Sequence, residues 1–190
     1  TEQGHLVRHF RGRFTHVGAD RELRTKTPQL VASPDGSLAL VTTRGVSIVE
    51  NGQFTSFTDA AATDSLGMES GYGGAVRRLD GSIWIATPGR GVWRIANGKL
   101  EDITPPALRG HELWRVAADT HGRLWVSDTG AVWIEDHGFR EVREADGPLT
   151  NVTAFRYDSR GDRMWMLGRE ATYVATGTVA RSVTRFTGGT

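Results

Sequence analysis

The residues with chemistry to offer are six histidines and a set of spaced arginines. Histidine titrates near neutrality and lends a lone pair to metals, so His5, His9, His16, His111, His121 and His137 are the candidates for general-base or metal-ligand roles. Arg44, Arg90 and Arg169 each stand in a short break between two apolar runs. Guanidinium groups gathered there would grip a carboxylate or a sulfate through paired N–H donors. Thr129 occupies the corresponding break in the one run that lacks an arginine, and Tyr72 offers a ring suited to stacking on a sugar face.

Other chemistries are excluded early. The 190 residues contain no cysteine, which removes disulfides, thiolate metal sites and cysteine nucleophiles together. No Gly-x-Ser-x-Gly elbow, His-Glu-x-x-His helix, phosphate loop or calcium loop occurs, and Gly71-Tyr72-Gly73-Gly74 lacks the strand-then-helix setting of a dinucleotide fingerprint. With 23 basic residues against 22 acidic and a net charge of +1, the chain has no basic excess of the kind nucleic-acid binders carry. No stretch reaches the 18 or so apolar residues of a membrane helix, so membrane attachment would need segments outside this sequence. The expectation is a protein without catalysis, cofactor, metal or nucleic-acid partner.

The elements that must position these side chains are set by glycine, 24 of 190 residues. Asp35-Gly36-Ser37-Leu38, Asp80-Gly81-Ser82-Ile83-Trp84, His121-Gly122-Arg123-Leu124-Trp125 and Arg160-Gly161-Asp162-Arg163-Met164-Trp165 are four versions of one turn entering one strand. They recur at roughly 40-residue intervals, and each is followed after about 16 residues by Asn51-Gly52, Asn97-Gly98, His137-Gly138 or Thr176-Gly177. Such pairs favour positive φ, as two-residue hairpin turns require. Between the turns lie short runs rich in β-branched and aromatic residues, such as Ile83 to Thr87 and Gly91 to Ile95.

The spacing predicts an all-β chain, a β-propeller of four-stranded antiparallel blades. The units run over about 28–58, 74–104, 113–144 and 151–187, with half a blade at 5–17. About four and a half blades are present, so the reading is part of a larger propeller of the seven-blade type, or a chain that self-associates through its open blade edges. Trp84, Trp125 and Trp165 recur at one blade position, with Leu40 or a neighbour filling it in the first blade. Recurrence in every blade argues for packing between blades. His121 and His137 replace the turn-forming residues of other blades, and His111, between Arg109 and Glu112, is the one histidine left to consider for chemistry.

Two stretches carry a family resemblance. Asp80-Gly81-Ser82-Ile83-Trp84-Ile85-Ala86-Thr87 ending in Arg90-Gly91-Val92-Trp93-Arg94, and Gly147-Pro148-Leu149-Thr150-Asn151-Val152-Thr153-Ala154-Phe155 before Met164-Trp165, resemble the two-component regulator propeller repeat. The likeness extends over nearly the whole chain. It implies the periplasmic or otherwise extracytoplasmic sensor region of a bacterial hybrid kinase or diguanylate cyclase, binding a small molecule or oligosaccharide. The alternative is a protein-interaction scaffold using loops or open edges, and a propeller lyase is the third reading.

Strand alternation places the loops between blades on the same face as the breaks between second and third strands. Segments 59–73, 105–112 and 145–150 therefore share a face with Arg44, Arg90, Thr129 and Arg169, and the long segment 59–73 carries Tyr72 and a possible helical turn at 60–66. These residues form the expected ligand site.

Overall fold

The structure, a computed structural model, describes residues 7–16, 29–32, 38–42, 45–50, 53–56, 74–145 and 147–185. An antiparallel hairpin of β1 (Val7–Phe10) and β2 (Arg13–His16) precedes four antiparallel four-stranded blades. Blade 1 holds β3 (Gln29–Ala32), β4 (Leu38–Thr42), β5 (Gly45–Glu50) and β6 (Gln53–Ser56). Blade 2 holds β7 (Gly74–Arg77), β8 (Ile83–Thr87), β9 (Gly91–Ala96) and β10 (Lys99–Asp102). Blade 3 holds β11 (Arg115–Ala118), β12 (Leu124–Ser127), β13 (Val132–Glu135) and β14 (Phe139–Glu144). After the two-residue β15 (Gly147–Pro148), blade 4 holds β16 (Val152–Asp158), β17 (Arg163–Gly168), β18 (Ala171–Thr176) and β19 (Val179–Arg185).

Within each blade the strands pair in sequence order, and the first strands β3, β7, β11 and β16 lie side by side. That is a partial β-propeller with the first strands around the axis. The segment 59–73, with its expected turn at 60–66, lies outside the described residues.

The core consists of the gaps between blades. Alternate residues of a strand face opposite sides, so each blade sends one set backward and one forward. Val31, Ala39, Val41 and Val46 of blade 1 meet Ile83, Ile85 and Ile95 of blade 2. Trp84, Ala86 and Val92 meet Leu124, Val126 and Trp133 of blade 3. Trp125, Val132 and Ile134 meet Met164, Met166 and Tyr173 of blade 4. The recurring tryptophan is thus a forward-facing residue packed on the next blade. In blade 1 this place belongs to Ala39, which pairs with Val31 as Trp84 pairs with Val76, whereas Leu40 faces the other way. The isoleucines of blade 2 fill the volume that a tryptophan takes elsewhere.

The turns follow the expected chemistry with one exception. Asn97 and Gly98 have φ of 51° and 72°, and His137 takes 56°, so His137 is a turn former. In blade 4 the added residue moves the left-handed position from Gly161 to Asp162, at φ 46°. Asp162 then accepts hydrogen bonds from the Tyr157 hydroxyl at 2.7 Å and the Arg123 guanidinium at 3.3 Å, with His121 Nε2 at 3.1 Å. His121 is therefore part of a junction between blades 3 and 4.

A second junction forms at the rim. Arg143 of β14 pairs in parallel with Val179 of β19, its amide donating to the Thr178 carbonyl at 3.0 Å. The Glu144 carboxylate accepts from the Ser182 amide and from Arg185 at 3.1 Å. Burial alone would raise the Glu144 pKa, but the Ser182 hydrogen bonds and the Arg185 charge outweigh it and hold the carboxyl below its ordinary 4.5.

Two predictions follow from this packing. Gly91 sits at φ +86° with space for a Cβ taken by Thr104 side-chain atoms, whereas Gly110, at φ +80°, faces open space. Gly110→Ala carries only backbone strain, about 1 kcal/mol, while Gly91→Ala adds the clash and costs roughly 2–4 kcal/mol in denaturant melts. For Glu144, a depressed folded pKa means its contribution is complete above the unfolded value and is lost as pH falls through the folded one. Acid titration of stability below pH 4.5 is expected to be steeper in the native chain than in Glu144→Gln.

Candidate functional site

At one end of the strands, the loop from β10 to β11 is anchored by two leucines. Leu108, in the short 3-10 turn Pro106–Leu108, and Leu113 are fully buried against Trp84 and Leu124. Their anchoring holds the intervening residues against neighbouring loops. The Gly89 amide donates to the His111 carbonyl at 3.2 Å, and Pro88 bridges to Glu112.

The His111 side chain reaches the break between β12 and β13. Its Nδ1 lies 2.6 Å from Asp128 Oδ2, and its ring meets Trp133 edge-on at 4.8 Å between centroids. Asp128 is buried, and its Oδ1 accepts the amides of Gly130 at 2.6 Å and Ala131 at 2.7 Å. An ionised carboxylate can only accept, so His111 donates through Nδ1–H and, when neutral, keeps its lone pair on Nε2.

Beside Asp128 a cleft of about 200 Å³ opens between blades 3 and 4, lined by Trp114, Arg115, Asp128, Thr129, Asn151 and Thr153. The Arg115 guanidinium spans the two inner strands, donating to the carbonyls of Thr153 at 2.9 Å and Trp114 at 2.8 Å. The Asn151 amide donates to the Thr129 carbonyl at 2.9 Å, and the Arg169 amide donates to Asn151 O at 3.1 Å. One wall is aromatic and the rim carries a hydroxyl and an amide, both suited to hydroxylated ligands.

Of the residues expected at the site, Thr129 lines this cleft and is exposed. Arg90 and Arg169 are exposed in the loops of their own blades on the same face, and neither lines the cleft. The Arg90 carbonyl accepts the Trp93 indole N–H at 3.0 Å. Arg44 and Tyr72 lie outside the described residues. Sequence reasoning missed Trp114 and Arg115. The available signal was negative, since Trp114 has no counterpart before β7 or β16, and an aromatic that breaks the repeat is not explained by blade packing.

A larger cleft, about 380 Å³, lies at the opposite end, lined by Arg77, Asp80, Ser82, Arg94 and Asn97 among others. Its charged groups are occupied within the blade. Asp80 accepts from the Ser82 hydroxyl at 2.6 Å and amide at 2.9 Å, and Arg94 is paired with Glu101 at 2.5 Å. These are the repeated turn residues, so the smaller cleft is the stronger candidate. No group of three or more His, Asp or Glu placed to hold a metal occurs among the described residues.

No family model and no curated protein sequence matches the chain. Solved structures do match in fold. Streptogramin B lyase superposes with a TM-score of 0.65 at 16% identity, covering 87% of this chain and 56% of its own. The extracellular domain of BT3049 from B. thetaiotaomicron, described as a hybrid two component system, gives 0.65 at 13%, covering 88% and 24%. PorZ, a surface component of the type-IX secretion system of Porphyromonas gingivalis, gives 0.65 at 16%, covering 96% and 26%. The class is therefore the β-propeller. The chain spans about half the length of the lyase and about a quarter of the other two.

Removing the carboxylate that joins the two loops tests their dependence on it. Asp128→Ala is expected to cost about 2–4 kcal/mol and to speed hydrogen exchange at the Gly130 and Ala131 amides. Asp128→Asn, which keeps an acceptor for those amides, costs less.

Proposed function

We propose that the chain is the extracytoplasmic sensing propeller of a bacterial signalling protein, of the two-component regulator propeller type. It takes a small molecule or oligosaccharide on the loop face without turnover. The observation that carries this reading is the cleft at Asp128, where Trp114 supplies a stacking wall and Thr129, Asn151 and Arg115 supply polar groups on well-anchored loops. The fold shared with the extracellular domain of BT3049 supports it.

Arg90 and Arg169, outside the cleft on the same face, fit the acidic substituents of an extended ligand rather than its core. The His111–Asp128 pair belongs to the scaffold in this reading, because Asp128 holds its loop and His111 pins the neighbouring one.

Isothermal titration against neutral and acidic oligosaccharides checks the proposal. Binding to the native chain is expected, with loss of about tenfold or more in Thr129→Trp, which fills the cleft. Arg90→Ala and Arg169→Ala weaken only acidic ligands. Binding unaffected by Thr129→Trp would place the ligand elsewhere.

A further inference from the structure

The cleft at Asp128 contains a positive charge with which no carboxylate among the described residues pairs. Arginines elsewhere meet acids, as Arg78 meets Glu135 at 3.4 Å and Arg123 meets Asp119 at 2.6 Å. Arg115 is held by carbonyls instead. Its Nε and Nη1 donate to Thr153 O and Trp114 O, and its Nη2 donates to nothing within the described residues. Arg156, Arg160 and Arg181 also lack a carboxylate, but they are exposed to water, whereas Arg115 is half-buried. Asp128 lines the same cleft, yet both its oxygens are committed, to His111 and to the amides of Gly130 and Ala131.

Arg115 is not part of the repeated scaffold. Its register position, paired two places beyond the tryptophan position, is taken in the other blades by Gln29, Gly74 and Ala154, none of them charged. It is also firmly placed. A Cβ at Gly74 would lie 2.7 Å from the Val116 amide nitrogen and 3.2 Å from Arg115 Cα, so β7 and β11 touch at this level, while the bond to Thr153 ties the guanidinium to blade 4. A carbonyl polarises a guanidinium without cancelling its charge, so the remaining donors stay available to an anion in a fixed orientation.

Resting on the reading of this cleft as the ligand site, we propose that Arg115 makes it a site for a sugar acid. The ligand is a single hydroxylated ring bearing one carboxylate, which pairs with the guanidinium while Trp114 backs the ring and Thr129 and Asn151 meet its hydroxyls. The charge count selects a monoanion, since one guanidinium faces the ligand and the buried Asp128 carboxylate repels a dianion such as a phosphate monoester. The planar fork selects a carboxylate over a tetrahedral sulfate ester. A cleft of about 200 Å³, smaller than the roughly 300–1,000 Å³ of pockets for drug-sized ligands, admits one ring rather than several.

Titration calorimetry with D-glucuronate and D-galacturonate, against D-glucose and D-galactose, reads the selectivity, because each uronate differs from its hexose only by the carboxylate. The native chain is expected to bind at least one uronate about tenfold or more tightly than the matching hexose. Arg115→Gln, which keeps an amide donor for a carbonyl, brings the two within about twofold by weakening the uronate alone, and Arg115→Lys, which keeps the charge without the fork, retains part of the preference. Should Arg115→Gln fail to fold, the native chain carries the test through salt, with uronate affinity falling between about 50 and 500 mM and hexose affinity steady. A uronate preference that survives in folded Arg115→Gln, or in the native chain at high salt, overturns the proposal. So does a native chain that binds hexoses as tightly as uronates, or that binds none of the four. Glucose 6-sulfate binding more tightly than glucuronate would make the anion a sulfate ester and overturn the carboxylate assignment. Equal binding of uronate and hexose that Thr129→Trp abolishes leaves the cleft as the ligand site and removes only the sugar acid, whereas binding that Thr129→Trp leaves intact removes both.

Discussion

Everything in this molecule depends on one constraint, that a four-stranded sheet with two apolar faces must have a sheet on each side. A single blade cannot bury both faces by itself, and no helix among the described residues covers one. Stacking blades around an axis solves the problem by making each forward face the floor of the next gap. Trp125 shows how fully this works. It is 1% exposed, packed on blade 4, and its indole N–H donates at 3.0 Å to Asp119, which in turn holds Arg123 at 2.6 Å and the turn amides of His121 and Arg123. Packing between blades and turn geometry within a blade are thus joined in one hydrogen-bonded group.

That constraint explains which features the sequence displayed. Turn glycines and forward tryptophans recur because each blade must solve the same steric problem, so Gly81, Gly122, Trp84 and Trp125 announced the architecture. Where a blade found a different solution the repeat is less regular. Ala39, the neighbour of Leu40, occupies the tryptophan place of blade 1, because the larger residues come from Ile83 and Ile85 across the gap. Asp162 rather than Gly161 takes the left-handed turn position, because the inserted residue shifts the turn and gains partners in Tyr157 and His121. Such exchanges of volume and hydrogen bonds between neighbouring blades are invisible to a comparison of one repeat with another.

The candidate site was legible in outline only. Strand alternation alone put Thr129, Arg90 and Arg169 on one face with the segment carrying His111. It could not show that His111 reaches Asp128 across 17 positions, or that Arg115 spans from blade 3 to the Thr153 carbonyl of blade 4. Those contacts arise from the way Leu108 and Leu113 anchor the loop. Repetition reveals scaffolding, and site residues, being tied to one gap, stand outside it.

The parallel pairing of β14 with β19 makes the junction of blades 3 and 4 unlike its neighbour. Blades 3 and 4 are bonded near the axis through Arg115, at the turn end through Asp162 and at the outer rim through Arg143 and Glu144. Blade 2 meets blade 3 through the Arg78–Glu135 ion pair, the Gly89–His111 hydrogen bond and the Pro88–Glu112 bridge, without a pairing between outer strands among the described residues. The cleft at Thr129 thus lies between the two ends of one continuous sheet, which runs from β11 outward to β14 and back through β19 to β16.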